Sequence, residues 1–405
     1  MHHPVPVIAT LDAILPDEPL LMMGAGPVPI PAKVAAANGI VINHLGDTMA
    51  RVIEQMKMMA RYVFQTESQH ILGVAGPGSA AMEMAAANLV IPGSKVLCVC
   101  NGFFSSRLAE MSERLGAEVV RINIPCGQAA NADEVITAIR EHRPQVLTIV
   151  QGETSNTVYN GCLPEICRVA HELECLVVVD AVCTLSTMPL NMDDWGVDAV
   201  ITGGQKGLSS IPGVSLVAFS ELAWDLISSR QDILRHWCLD AKLADQFWYK
   251  KSYHYTAPVS GILALHEALH LVCKETLPRR FDRHLKCSLA LQAGIEGLGL
   301  ELYVDQPSRL NSVVGIKLPE GLNQKELLRF ISSEYGVEIA GSFGLDIVRI
   351  GQMGEQCRTH NIFRTIHALG SSLKGLGQQV DIPAGVAALE RSIEMYQPRY
   401  SAQTE

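Results

Sequence analysis

The sequence is short of charge, and of positive charge in particular. Charged residues make up 18% of its 405 residues, and 32 Lys and Arg stand against 42 Asp and Glu, a formal net charge of −10. A nucleic-acid binder carries a basic surface and an electrostatic membrane anchor a basic cluster, so neither class fits. Uncharged apolar runs of about 18 residues, the length that crosses a bilayer, are missing, and no membrane-spanning helix is expected. The opening residues Met1-His2-His3-Pro4-Val5-Pro6 lack the basic-then-apolar layout of a secretory signal. The 11 cysteines are odd in number and scattered. Cys162 and Cys167 have no metal-ligand spacing, and no Cys/His pair follows Cys98 and Cys100 to complete a site. These observations predict reduced, mostly buried thiols in a cytoplasmic protein, with no metal.

What is present is a large apolar content, 48% of residues. A chain of this length can bury roughly three quarters of its unfolded surface, and about 150 residues per domain predicts two to three domains. Short β-branched runs at 96–99, 118–122, 146–150, 176–179, 199–202 and 214–219 alternate with helical patterns at 107–115, 133–141 and 164–173. Continuous apolar strands between helices indicate a mostly parallel sheet covered on both faces, an α/β sandwich over about the first 280 residues. The character changes after about residue 260, where helical stretches at 263–273, 284–298, 324–334 and 359–376 enclose strand-like runs at 300–304, 312–316 and 347–350. That order predicts a smaller α+β domain. The division expected is an N-terminal arm 1–20, a large domain 21–282 and a small domain 283–405, closing on an appended helix and a loose polar tail.

Three features carry chemistry, each at the end of a predicted strand or the start of a helix. Gly76-Pro77-Gly78-Ser79 opens a helical run, and free N–H groups and the helix dipole there suit a phosphate, although Ser79 could equally cap its own helix. This is neither a Gly-Lys-Ser/Thr phosphate loop nor a Gly-x-Gly-x-x-Gly turn. Asp180 ends the run Leu176-Val-Val-Val-Asp180, where α/β sheets place their ligands. Lys206, in Thr202-Gly-Gly-Gln-Lys206-Gly, follows the next strand, and a desolvated lysine is a nucleophile for carbonyls. A phosphate cup, then an acid, then a lysine, in that order, fits pyridoxal 5′-phosphate (PLP): a Schiff-base lysine, a carboxylate on the pyridine nitrogen and a helix start on the phosphate.

The sequence resembles the class V aminotransferases of fold type I, in the alanine–glyoxylate and serine–pyruvate (serine–glyoxylate) branch. The likeness runs from Met23-Gly-Ala-Gly-Pro27 to Arg349-Ile-Gly-Gln-Met-Gly354. It includes Tyr62-Val-Phe-Gln-Thr66, Asn101-Gly-Phe-Phe104, Gly152-Glu-Thr-Ser155, Asp180-Ala-Val182, Gly204-Gln-Lys206 and Tyr253-His-Tyr-Thr256.

The resemblance implies that Lys206 is the Schiff-base lysine and Asp180 the pyridinium partner. Phe104 falls where the family stacks an aromatic residue, usually Trp, on the cofactor ring. Gly78, Ser79 and Gln205 would hold the phosphate, Ser79 standing where some members have histidine. Val182 would pack under the ring, and Ser155 would sit beside it and help hold substrate. Tyr253 and Thr256 match the pair that the family lends to the neighbouring subunit's phosphate, which implies a homodimer with shared active sites. Arg349 would bind the substrate carboxylate, and Gly26 would let the backbone approach the substrate.

Asn43 and His44 carry no assignable pattern and read as a solvated loop. The activity so implied moves an amino group from alanine or serine to glyoxylate or pyruvate in a ping-pong order. The related alternatives are pyridoxamine–pyruvate and 2-aminoethylphosphonate–pyruvate transaminases. A cysteine desulfurase or lyase on the same fold would need a catalytic loop cysteine, for which Cys357 is the candidate.

Overall fold

The β-branched runs assemble into one seven-stranded sheet in a computed structural model that describes residues 3–403. Met1 and His2 of the opening stretch, and residues 404–405 of the tail, lie outside the described residues. Across the sheet the order is Ile71–Ala75, Val214–Phe219, Ala199–Ile201, Leu176–Asp180, Val146–Val150, Lys95–Cys100 and Glu118–Asn123. All pairings are parallel except those of Val214–Phe219, which runs antiparallel to both neighbours. The parallel strands from Lys95–Cys100 to Ala199–Ile201 are almost wholly buried, as expected of a sheet with helices on both faces. Cys98 and Cys100, two apart in one strand, are both buried.

One extensive core forms around this sheet, and a second around the sheet of Val313–Lys317, Ile347–Gly351 and Ala340–Gly341. The architecture is α/β with a smaller C-terminal α+β part. Helix Leu277–Gly297 carries the chain between the two cores: Leu277 belongs to the first, and Cys287, Leu291 and Ile295 to the second. Position 282/283 therefore lies inside a continuous helix. Helix Ile382–Met395 packs on the far end of Leu277–Gly297 through glycines. A Cβ at Gly297 would lie 2.9 Å from the Gly385 Cα, so the close crossing needs both.

Three local expectations change. The helix expected from 107 begins at Phe103, because Glu153 and Ser155 supply the missing cap from another loop. The run 300–304 is no strand of its own. It meets the small sheet at a single bridge, Leu302 to Ile316. The tail is not loose either: Asp282 accepts hydrogen bonds from the Tyr396 hydroxyl (2.7 Å), the amides of Arg399 (2.7 Å), Tyr400 (3.1 Å) and Ser401 (2.8 Å), and the Ser401 hydroxyl (2.6 Å). No helix among the described residues is long and apolar enough to cross a membrane.

Candidate active site

Five strands of the large sheet release their loops at the same, carboxyl edge, the place where open α/β sheets bind ligands. Ile71–Ala75 leads into Gly76–Ser79, Lys95–Cys100 into Phe103 and Phe104, Val146–Val150 into Gly152–Ser155, Leu176–Asp180 into Val182, and Ala199–Ile201 into Gln205 and Lys206. Residues far apart in sequence thus meet in one cavity of about 160 Å³. It is lined by Gly78, Ser79, Phe104, Asp180, Val182, Gln205 and Lys206, together with Met82, Val150, Gly152, Thr154 and Cys183.

The acid and the lysine face this cavity from adjacent strands. Asp180 is only 4% exposed, and one carboxylate oxygen accepts the Val182 N–H at 2.8 Å. Burial pushes its pKa up to about 7, against the pull of that hydrogen bond. Burial pushes the Lys206 ammonium below its usual value, and the nearby Arg349 adds to this. Lys206 Nζ donates to the carbonyl of Ala25. Gly26, at φ +99°, lies so close that a Cβ there would sit 2.6 Å from Nζ. Glycine at this position thus leaves the space that the lysine amine occupies.

Gly78 and Ser79 are the first two residues of helix Gly78–Leu89, so their N–H groups are free of helical partners. Ser79 does not cap this helix. Its Oγ accepts from Arg107 Nη1 at 2.7 Å. A Cβ at Gly78 would meet Val182 Cγ2 at 2.9 Å, so glycine keeps the slot between them open. The buried side-chain oxygen of Gln205 has no hydrogen-bond partner among the described residues.

Arg349 lies on strand Ile347–Gly351 of the small sheet and is 6% exposed. Its Nε donates to the Gly341 carbonyl (2.7 Å) and Nη1 to the Thr154 carbonyl (2.6 Å), while Nη2 has no partner among the described residues. Burial brings its pKa down to about 10, countered by Glu153. An arginine fixed by two carbonyls with one nitrogen free is set to receive a carboxylate.

Several expected site residues stand elsewhere. Ser155 is 3% exposed and does not line the cavity; its hydroxyl donates to Glu153 Oε1 (2.6 Å) and accepts the Phe103 N–H (3.0 Å). Thr154, one residue earlier, lines the cavity. Tyr253 and Thr256 do not line it, and Tyr253 is 57% exposed. His44 is not simply solvated: it is half-buried, takes the Ala257 N–H on Nδ1 at 3.3 Å and lies 6.0 Å from the Tyr253 ring.

Sequence reasoning missed Arg107, Glu153 and Thr154. Thr154 and Glu153 sit inside a motif already quoted, and Arg107 lies three residues after Phe104, hence on the same helix face. Among the described residues no group of three or more His, Cys, Asp or Glu could hold a metal ion.

These features fit a flat, phosphorylated nitrogen heterocycle. The cavity lined by Phe104 and Val182 would take a ring, and the Asp180 carboxylate, with one backbone N–H for a partner, would take a ring N–H⁺. The start of helix Gly78–Leu89 would take a phosphate, with the side-chain NH2 of Gln205 as a further donor lining the same cavity.

Comparison with known proteins identifies the family. The sequence pattern of the family "Aminotransferase class-V" matches residues 33–358. The chain is 33% identical over 367 residues to an alanine–glyoxylate aminotransferase of Oryctolagus cuniculus, covering 88% of this chain and 93% of that protein. Among solved structures, an alanine–glyoxylate aminotransferase from Nostoc sp. superimposes with a TM-score of 0.86 at 33% identity, covering 90% of this chain and 100% of the other. A ureidoglycine–glyoxylate aminotransferase from Bacillus subtilis superimposes with a TM-score of 0.91 at 28% identity, covering 94% and 99%.

Proposed function

Since the chain belongs to the class V aminotransferases, PLP-dependent transaminases of fold type I acting on amino acids and 2-oxo acids, we propose that it moves an amino group from a small amino acid, alanine or serine, to glyoxylate or pyruvate. The observation that carries this reading is the pairing of Asp180 and Lys206 in one cavity with Phe104 and Val182. The glyoxylate named for each of the three similar proteins supports the acceptor.

When bound, PLP supplies an electron sink for the pair left at the substrate Cα. Every other task falls to the chain. Lys206 Nζ, its positive charge disfavoured by burial, would hold the cofactor aldehyde carbon covalently. Once the donor amine displaces it, Lys206 is the base that takes the Cα proton and returns it on the far side of the transfer. Asp180 would accept the ring N–H⁺ and keep that nitrogen protonated. Phe104 and Val182 would hold the ring plane from its two faces. Gly78, Ser79 and Gln205 would bind the phosphate, and Thr154, next to Ser155, would lie beside the ring. Arg349 would take the substrate carboxylate on its free nitrogen, and Gly26, with no side chain to crowd Lys206, would let the backbone approach the substrate.

Tyr253 and Thr256, outside this chain's own cavity, support a homodimer in which each subunit completes its neighbour's phosphate site. The two cores support the division into a large and a small domain, the passage being made within Leu277–Gly297. Unpaired thiols at all 11 cysteines support a cytoplasmic location.

A cup formed by Ser79, Gln205 and a helix start favours a retained phosphate cofactor over pyridoxamine as a passing substrate. Cys357 is fully buried, and burial pushes its thiol well above the usual value, which speaks against a desulfurase.

The test is spectroscopic and kinetic. Purified holoprotein should be yellow, and the band should bleach on adding alanine or serine and return with glyoxylate or pyruvate. A donor panel that includes pyridoxamine and 2-aminoethylphosphonate ranks the substrates. A colourless protein, or undiminished turnover by Lys206→Ala, would sink the reading.

A further inference from the structure

Arg107 stands on the second turn of helix Phe103–Arg114, beside the phosphate cup and outside every role given so far. It is half-buried, and its Nη1 donates to Ser79 Oγ at 2.7 Å. Its guanidinium carbon lies 4.9 Å from the centroid of the Phe103 ring and 5.1 Å from that of Phe104. Among the described residues no carboxylate comes within 4.0 Å of its nitrogens. Arg121 and Arg114, on the neighbouring strand and the same helix, by contrast have Glu113 and Glu110 as partners. A half-buried guanidinium that gives one N–H to a neutral hydroxyl and touches no carboxylate, its electrostatic partner being Asp180 across the same site, is suited to an anion.

The geometry at Ser79 adds direction. Its oxygen accepts from Arg107, so the hydroxyl proton is left for a further acceptor. Ser79 is the second residue of helix Gly78–Leu89, where unpaired N–H groups already favour negative charge. Arg107 also lies over Phe104, which lines the same cavity as Ser79 and Val182. One side chain therefore ties the cup to the ring-stacking residue.

We propose that Arg107 is a positioning residue that selects the phosphorylated cofactor, orienting the Ser79 hydroxyl toward the phosphate and setting a fixed positive charge beside the cup. This rests on the PLP reading of the cavity. Its specific content is discrimination: Arg107 favours pyridoxal 5′-phosphate over pyridoxal, which has the same ring and no phosphate.

The test measures equilibrium binding to the full-length apoprotein, by calorimetry and by quenching of intrinsic fluorescence. The ligands are pyridoxal 5′-phosphate, pyridoxal and inorganic phosphate, and the variants are Arg107→Met, Arg107→Lys and Ser79→Ala. Arg107→Met should weaken both phosphate ligands roughly tenfold to a hundredfold and leave pyridoxal within about twofold, the size expected for one charge-assisted contact. Arg107→Lys, which keeps the charge and loses the fork, should fall between. Combining Arg107→Met with Ser79→Ala should cost less than the product of the single effects, since the two act as one unit.

Equal weakening of pyridoxal and its phosphate would overturn the proposal, making Arg107 only a support for Phe104. Unchanged binding of all three ligands would overturn it as well. If the unaltered apoprotein binds inorganic phosphate but shows no preference for PLP, and Arg107→Met loses the phosphate, the selective role falls together with the cofactor reading, and Arg107 is left as part of a plain phosphate site. A Met variant that does not fold leaves the decision to Arg107→Lys, for which unchanged discrimination counts against the proposal.

Discussion

Replacing Asp180 by asparagine should make the apoprotein less sensitive to pH, by an amount the structure fixes. The carboxyl is buried with one backbone N–H for a partner, and its pKa stands at about 7 against an ordinary 3.8. A raised acid makes the native state bind more protons than the unfolded state, so stability falls as pH rises between the two values. Below about pH 4 both states are protonated and nothing is lost. Through pH 4 to 7 the cost of ionising a buried acid grows, and above 7 it is fully present. About 3 pH units at about 1.4 kcal/mol each is roughly 4 kcal/mol.

The asparagine side chain of the Asp180→Asn variant keeps an acceptor for the Val182 N–H and cannot ionise, so the variant lacks this loss. The assay is urea unfolding of apoprotein at steps from about pH 4 to 8, read as the difference between the two proteins, so that all other titrating groups cancel. The wild type should lose roughly 4 kcal/mol relative to Asp180→Asn across that window. Adding PLP should recover much of this loss in the wild type alone, because the ring N–H⁺ then faces the carboxylate. A difference flat to within about 1 kcal/mol would refute the burial argument.

Three further outcomes are expected. Arg349→Ala should raise KM for every carboxylate substrate roughly tenfold to a hundredfold, the size of a lost charged hydrogen bond, and leave the cofactor band in place; an unchanged KM would remove Arg349 from the site. Hybrid dimers of Lys206→Ala subunits with Tyr253→Phe/Thr256→Ala subunits should regain activity that neither parent has, since one of the two sites is then intact; no regain would place these residues within a single chain's function. Asp282→Ala should free residues 396–401, so limited proteolysis should trim the tail of the variant and spare the wild type. Burial pushes the Asp282 carboxyl up, but the bonds from Ser401, Arg399 and Tyr396 outweigh it and hold the pKa at about 2, so this anchor persists down to strongly acidic pH.

The strands at the heart of the site were legible because each is buried on both faces. Such a strand needs apolar, mostly β-branched residues at every position, and Leu176-Val-Val-Val-Asp180 announces both the strand and the acid that ends it. Helix ends were less legible. The start of Phe103–Arg114 depends on Glu153, some fifty residues away, whose carboxylate accepts the N–H groups of Phe104 and Ser105. The tail looked loose because its anchor, Asp282, is more than a hundred residues distant and its own residues are polar. The reversed direction of Val214–Phe219 leaves no mark in a run of apolar residues that is buried either way.

By itself the sequence determined which side chains were available at the strand ends and in what order. It determined the Asp180 and Lys206 pair, the glycines at 26 and 78, and the family to which the chain belongs. Residue type and spacing along a strand or a helix are local properties, and local rules read them. Tertiary structure alone decided that the Ser155 hydroxyl is held between Glu153 and the Phe103 N–H while Thr154 lines the cavity. It also decided that Arg107 meets Ser79 rather than a carboxylate, and that Asp180 titrates near neutrality. Solvent exclusion and contact across the chain set these outcomes, and neither exists until the sheet and its loops have closed.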